Sequence, residues 1–219
     1  MIFFTSDLHA YHKNICRGTS NWGEKDDNCR DFDTIEEMNA AIIKSINSRV
    51  GKDDTLYHIG DWSFGGWENI WNFRKQIICE NIIQINGNHD EQIQKDKFFP
   101  HLIKIDGVIS EIENKADYRS LGILKSARDV TAKDFFKSVH SNLRIIIDGQ
   151  EIILDHFPYE QWLNMNTGTW HLHGHVHGKL NNSNDNMKHK RKDVGWNGGI
   201  YSYDEIKEEF SERENKRHH

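Results

Sequence analysis

The chain reads as an α/β fold with a parallel first half and a mostly antiparallel second half, and three observations predict it. Through residues 1–85, apolar runs alternate with helical stretches in the order βαβαβ, a spacing that favours parallel strands joined by right-handed crossovers. Further on, residues 144–147 and 151–154 flank Asp148-Gly149, a two-residue hairpin signal. Finally, five strand runs each lead into a short polar string. Residues 1–6 lead into Asp7-Leu8-His9, 55–59 into Gly60-Asp61, 82–86 into Gly87-Asn88-His89-Asp90, 152–154 into Asp155-His156, and 169–173 into Gly174-His175-Val176-His177. Strings that follow parallel strands emerge together at the carboxyl edge, where α/β sheets build their sites.

The elements follow in order. After the first strand a polar loop runs over residues 11–33, expected on the surface near the site. Thr34-Ile35-Glu36-Glu37 forms a capping box, and Ile35, Met38, Ala41, Ile42 and Ile46 recur at helical spacing until Gly51 stops the helix. Asp53-Asp54 turns the chain into the strand at 55–59. Residues 67–80 predict a second helix on Ile70, Trp71, Ile77 and Ile78, and 82–85 a third strand. Between Asp90 and Leu143 the signals weaken. Phe99-Pro100 is a break, 102–105 and 108–112 are short strands about Gly107, and Thr131-Ala132-Lys133-Asp134 caps a helix through His140. Residues around 107–142 read as an insertion shaping access to the site, and the Asn- and Lys-rich tract 181–192 as a solvated loop.

At 219 residues, with 36% hydrophobic and 11% aromatic side chains, the chain can pack one domain around one core. Its 28 basic and 34 acidic residues give a net charge of −6, so no global field draws a polyanion; nucleic acid is a possible partner but not the favoured one. Cys16, Cys29 and Cys79 are too few and too irregular for a disulfide framework or a cysteine zinc site, a usage typical of reducing compartments. No run approaches the ~18 apolar residues of a membrane span. Met1 leads straight into a strand, so a cytoplasmic protein without a membrane partner is expected.

Carboxylates and imidazoles in one ordered set are ligand types for first-row divalent metals. Such a centre acidifies water enough to supply hydroxide near neutral pH, so hydrolysis is the expected chemistry. Each string alone is weak, because Asp, Asn and Gly after a strand also form ordinary turns. Together they place seven ligand-type side chains at strand ends, and burying that charge without cations would be costly.

In this order the strings Asp-x-His, Gly-Asp, Gly-Asn-His-Asp, a lone His and Gly-His-x-His resemble the calcineurin-like metallophosphoesterase superfamily, in its small bacterial and phage branch, across residues 7–177. The resemblance implies two mixed β-sheets stacked face to face between helices, an α/β/β/α sandwich, with a two-metal centre at the strand ends. It implies that Asp7, His9, Asp61 and His177 hold one divalent ion, and that Asp61, Asn88, His156 and His175 hold the other, Asp61 bridging. Manganese is expected first, then iron, zinc or nickel. The implied reaction is attack of a metal-bridging hydroxide on a phosphomono- or phosphodiester, with a small nucleotide-like substrate. His89 is implied as the non-ligand that protonates the leaving oxygen or stabilises the phosphoryl oxygens, a task its ordinary pKa of ~6.5 suits. Asp90 would be a structural acceptor. A nuclease of the same superfamily and a non-catalytic metal-binding module are the alternatives; the intact Asn88 and His89 favour an enzyme.

His12, in His12-Lys13-Asn14, matches a continuation that small members share and either lines the substrate pocket or sits on an exposed loop. Protein phosphatases of the superfamily carry Gly-Asp-x-x-Asp-Arg, whereas here Phe64 and Gly65 stand at the last two positions, which argues against that activity and leaves His89 without the usual orienting carboxylate. Asp193-Val194-Gly195 stands where related sequences often have Asn-Val-Gly. Among the fourteen histidines, His171, His173, His175 and His177 alternate, and in an extended strand all four point to one face. Only the last two match the motif, so His171 and His173 are expected to be structural, as are His58, His101 and His140. Trp71 is expected in the core, while Trp62 and Phe64 are either core or a stacking surface for a base or apolar leaving group. The basic run at 188–192 is a solvated loop or an attractor of phosphate.

Overall fold

A computed structural model describes residues 1–22, 29–113, 127–180 and 189–213. Strand alternation organises the first sheet. β1 (Ile2–Thr5), β2 (Thr55–Ile59) and β3 (Asn81–Ile85) pair in parallel with Phe3, Leu56 and Ile82 in one row. β7 (Ser138–His140) extends the sheet in parallel beyond β3, and β12 (Tyr201–Ser202) pairs antiparallel with β1, giving the order β12-β1-β2-β3-β7. The Phe3, Leu56 and Ile82 face shares an apolar cluster with Met38, Ile42 and Ile46 of α1 (Ile35–Arg49) and with Ile70 and Phe73 of α2 (Glu68–Arg74). The opposite face, through Phe4, Ile59 and Ile85, meets Ile152, Leu154 and Leu172 of a second sheet.

That second sheet runs β11 (Arg191–Asp193), β10 (Trp170–His173), β9 (Gln150–Asp155), β8 (Asn142–Ile147). β8 and β9 form the expected hairpin, with Asp148 and Gly149 at φ 49° and 80°, the left-handed pair of a type I′ turn. The rest of this sheet is an exception to the mostly antiparallel second half, because β10 is parallel to both β9 and β11. The parallel pairing has a consequence for the site: Leu154 lies opposite Leu172, so the strings that follow β9 and β10 leave the sheet at the same edge. α4 (Tyr203–Ser211) closes the side where β11 and β12 end their sheets. Its Tyr203, Ile206 and Phe210 join the inter-sheet cluster, and Lys192 and Arg49 reach its Glu209 and Glu205 at 2.7 and 2.6 Å. Among the described residues the outer face of β10 is covered by the loop at 156–169, with Tyr159 stacked on His171 at 4.9 Å, while α1 and α2 supply the helical layer on the other side.

Three expectations are corrected. α2 stops at Arg74 instead of reaching Glu80, because the Arg74 guanidinium donates to the carbonyls of Phe135, Ile77 and Cys79 at 2.8, 2.9 and 2.8 Å and so fixes a non-helical chain there. The Thr131 capping box forms, but it holds only a 3₁₀ turn (Ala132–Phe135), after which Ser138–His140 extends along the free edge of β3. Of the tract expected as a solvated loop, Arg191–Asp193 is β11, while 181–188 fall outside the described residues.

The region between the first sheet and β7 forms a third, antiparallel sheet, β5 (Val108–Glu111), β4 (Phe98–Ile105), β6 (Arg128–Thr131). Phe99, Leu102 and Val130 anchor it in the cluster that holds Ile70 and Phe73, and Trp71 and Lys75 each reach Glu111 at 2.8 Å. α3 (Glu91–Gln94) is a single turn leading toward it. The cysteines are free and buried, and among the described residues no helix is long and apolar enough to cross a membrane.

Candidate metal centre

The strings that follow β1, β2, β3, β9 and β10 converge at one end of the sandwich, and the backbone there is strained. Asp7, His9, Asp61, His175 and His177 have φ of 53°, 49°, 62°, 70° and 51°, a left-handed conformation that is uncommon for residues with a Cβ and collects at functional sites. Hydrogen bonds hold it. Asp7 N–H donates to Gly60 O and His9 N–H to Asp61 O, both at 2.9 Å, tying the first string to the second. The Arg30 guanidinium, buried beneath, donates to Asp7 O and Leu8 O at 2.5 and 2.6 Å and lies 4.7 Å over the Trp196 ring. Asp90 ties the second string to the third: it accepts from the N–H groups of Asp61, Trp62 and Gly87 at 2.7, 2.9 and 2.8 Å, and from Gln84 Nε2 at 3.0 Å. Burial pushes its carboxyl up to about 6, against the pull of those N–H groups.

Glycine stands at Gly87 and Gly174 because a side chain there would collide with the carboxylates of neighbouring strings. A methyl on Gly174 would sit 1.9 Å from Ser6 Oγ and 2.2 Å from Asp7 Oδ2, and one on Gly87 would sit 2.2 Å from Asp61 Oδ1.

Two groups of donor atoms result. In the first, His9 Nε2 lies 3.5 Å from Asp7 Oδ1, 3.6 Å from Asp61 Oδ2 and 3.2 Å from His177 Nε2, and His177 Nε2 lies 3.4 Å from Asp7 Oδ1. In the second, His156 Nε2 lies 3.4 Å from Asp61 Oδ2 and 3.0 Å from Asn88 Oδ1, which lies 3.0 Å from His175 Nδ1. Atoms each about 2.1 Å from a shared cation have mutual separations of this size, and the donor atoms of Asp7, His9 and His177, and of Asp7, Asp61 and His156, lie close enough together to hold a small divalent ion, with Asn88 and His175 adjoining the second set. Asp61 Oδ2 belongs to both groups. Its other oxygen accepts from His89 N–H at 2.9 Å, while Asp7 accepts from Ser6 Oγ at 2.6 Å and His175 N–H at 3.0 Å, so both carboxylates are held in orientation from outside.

The electrostatics point the same way. Burial works to raise the carboxyl of Asp7, but hydrogen bonding and charge from His9, then His156 and His177, hold it below the ordinary carboxylate range. Asp61 is likewise held down by His156 and His9 against its burial. Burial opposes a charge on His156, yet Asp61 and then Asp7 push its imidazole up to about 9. The carboxylates and imidazoles of the cluster thus stabilise one another's charged forms, Asp61 and His156 most strongly.

His89 and His12 stand on the open side. They line a cavity of 640 Å³ together with His9, His175 and His177, and with Phe64 and Trp22. The Phe64 ring lies 4.5 Å from His89 and 3.9 Å from His12. Burial lowers the pKa of His89, with Asp61 opposing, and burial followed by the charges of His9 and His89 brings His12 down to about 4.

The structure thus brings together Asp7, His9, Asp61, Asn88, His156, His175 and His177, with His89 and His12 beside them. Other histidines lie apart. His171 and His173 are buried on the outer face of β10, and His58 is a core residue, 2.7 Å from Gln84 Oε1 and edge-on to the fully buried Trp62. His101 pairs with Glu68 at 3.5 Å and His140 with Ser138 at 2.9 Å. The described part of the basic run is engaged elsewhere, Arg191 donating to Tyr159 O and Lys192 to Glu209. Sequence reasoning missed Ser6 and Arg30, for which an isolated Ser and a loop Arg give no signal. Asp193 had drawn notice only as a departure; its carboxylate accepts from Gly178 N–H and Gly195 N–H at 2.6 and 2.7 Å, fixing the turn after His177.

No protein-family model matches the chain. It is 27% identical over 203 residues to the Gene 66 protein of Mycobacterium phage L5, covering 81% of this chain and 78% of that protein. It is 25% identical over 201 residues to the Gene 66 protein of Mycobacterium phage D29, covering 82% and 79%. An uncharacterized protein of Methanocaldococcus jannaschii is 30% identical over 92 residues, 41% of this chain and 47% of that one. Among solved structures, a protein of unknown function from Aquifex aeolicus superposes with a TM-score of 0.57 at 20% identity, covering 95% of this chain and 98% of that one, a likeness of fold alone.

Proposed function

We propose that the protein is a dinuclear metal-dependent phosphoesterase that hydrolyses a phosphomono- or phosphodiester of a small, nucleotide-like substrate. The observation that carries this reading is the pair of donor groups sharing Asp61, with His89 beside them on the cavity side. Asp7, His9, His177 and Asp61 would hold one ion; Asp61, Asn88, His156 and His175 would hold the other. Manganese is the first choice, with iron, zinc or nickel compatible with the same donors. When bound, the cations neutralise the phosphoryl oxygens and acidify water near neutral pH.

The chain's own residues do the rest. Only two carboxylates face two dications, because Asn88 contributes a neutral oxygen, so the centre keeps a net positive charge where an anion must enter. In the reaction the oxygen of water bonds to phosphorus while one of its protons passes to solvent, the bond from phosphorus to the ester oxygen breaks, and the departing oxygen takes a proton. His89 gives that proton. Its backbone is fixed by the N–H bond to Asp61, and Phe64 packs against its ring where other members of the resembled superfamily place a carboxylate. Burial keeps its imidazole low, and an arriving phosphate raises it again. A small substrate is favoured over a polynucleotide because, of the described lysines and arginines, only Lys179 lines the cavity.

The test is hydrolysis of p-nitrophenyl phosphate and bis-p-nitrophenyl phosphate with added Mn²⁺. The wild type turns over at least one of them, and His89→Ala is slower by ~10² to 10⁴ with its metal content retained. Full metal occupancy with no turnover of any phosphoester by the wild type would make the protein a metal-binding module instead.

A further inference from the structure

The cavity beside the ligands is chemically two-sided. One end is formed by His9, His175 and His177 with His89 adjoining, and suits a phosphoryl group. The remaining wall is made of the Phe64, Trp22 and His12 rings and the aliphatic side chains of Ile15, Val176 and Leu180, with Lys179 as the one described ammonium. From this we infer that the departing arm of the ester is a planar, uncharged ring system, a nucleobase or aryl group, received by Phe64 and Trp22. The inference rests on the phosphoesterase reading and narrows its substrate class.

Three observations carry it. First, Phe64 is a fixed wall: its N–H donates to Ala10 O at 2.7 Å, its carbonyl accepts from Asn69 Nδ2 at 2.7 Å, and its ring rests on His12. Second, the core does not need it, because the neighbouring Trp62 is fully buried among Phe73 and Phe136, whereas Phe64 is only half-buried and Trp22 is 40% exposed. The exposed Trp22 ring gains by being covered with a ligand's ring, and Phe64, already 3.9 Å from His12 and 4.5 Å from His89, offers the part of its ring that lines the cavity. Third, His89 lines this same cavity, so the arm that enters it is the arm whose oxygen receives the proton. A volume of 640 Å³ is of the size that takes one small molecule.

The experiment is calorimetric binding of phenylphosphonate and methylphosphonate, which cannot be hydrolysed, to the Mn²⁺-loaded protein. The wild type should bind the phenyl compound tighter by about 10- to 100-fold. The double variant Phe64→Ala with Trp22→Ala should bring that ratio within about threefold, through loss of phenylphosphonate affinity, while Phe64→Tyr, which keeps a ring, should preserve it. Equal affinities in the wild type, or a preference that survives removal of both rings, would overturn the inference. Ester hydrolysis measured on the same samples separates the two ideas. Equal phosphonate binding with retained turnover sinks only the ring-binding wall, and a retained ring preference with no turnover of any ester sinks the proposed catalysis.

Discussion

His171 and His173 lie in the same run of alternating histidines as His175 and His177, yet the two pairs do opposite things. The first pair belongs to β10, is fully buried, and is kept neutral: burial foremost brings their imidazoles down to about 3 and about 4. His171 fits that state, its Nδ1 facing Ile153 O at 3.2 Å and its Nε2 accepting from Tyr159 N–H at 3.0 Å. The second pair comes after the strand has ended. Beyond Gly174 the chain turns through left-handed backbone, and the rings meet Asn88 and Asp7 at 3.0 and 3.4 Å. Residue type is the same in both pairs; the break in the strand decides which imidazoles stay buried in the sheet and which join the Asp7 and Asn88 cluster.

The comparison is broken most completely by taking charge from the second pair's surroundings. Asp61→Asn removes the oxygen common to both donor groups and should lower turnover by at least about 10⁴ with loss of bound metal, measured by elemental analysis alongside phosphoester hydrolysis. Folding as seen by circular dichroism should persist, because the inter-sheet cluster is untouched.

Gly174→Ala attacks the hinge between the pairs. Its methyl meets Ser6 Oγ and Asp7 Oδ2, so Mn²⁺ affinity by titration calorimetry should fall by about 10²-fold as Asp7 is displaced. Retained affinity would mean that the close approach of the fifth string to the first is not needed for binding.

Changes on the first pair should touch stability alone. His171→Ala removes two partly buried hydrogen bonds and should cost about 1 to 3 kcal/mol in urea unfolding, with metal stoichiometry unchanged. The same side of the comparison sets a pH dependence. His58, His171 and His173 have folded pKa values of about 4, 3 and 4, below the ordinary 6.5, so between these limits the unfolded chain binds protons that the folded chain refuses. Stability is therefore full above about 6.5 and lost as pH falls toward 4, by up to about 2 kcal/mol per histidine at pH 5. Urea midpoints at pH 7 and pH 5 measure it, and the difference should shrink in His171→Gln.

What the sequence made legible was mostly local. The Thr34 capping box, the Asp148-Gly149 hairpin and the strand runs before each string are decided by neighbours in the chain, and all appear in the fold. The misses have distant causes. α2 ends where Arg74 meets the carbonyl of Phe135, far along the chain, and β10 pairs parallel through strands separated from it by loops. Within the site, the candidate ligand strings announced themselves by residue type, whereas the left-handed backbone at Asp7, His9, Asp61, His175 and His177 and the Arg30 guanidinium that holds Asp7 depend on tertiary contact. Phe64 was visible as a departure from the protein-phosphatase pattern and, with Trp62, as either core or a stacking surface; the fold buries Trp62 and places Phe64 between His89 and His12.

The most direct test of the central claim is anomalous diffraction from crystals of the protein grown with Mn²⁺. Two peaks are expected inside the cluster, one among Asp7, His9 and His177 and the other among Asn88, His156 and His175, with Asp61 touching both. A single peak, or peaks only away from these seven side chains, would contradict it.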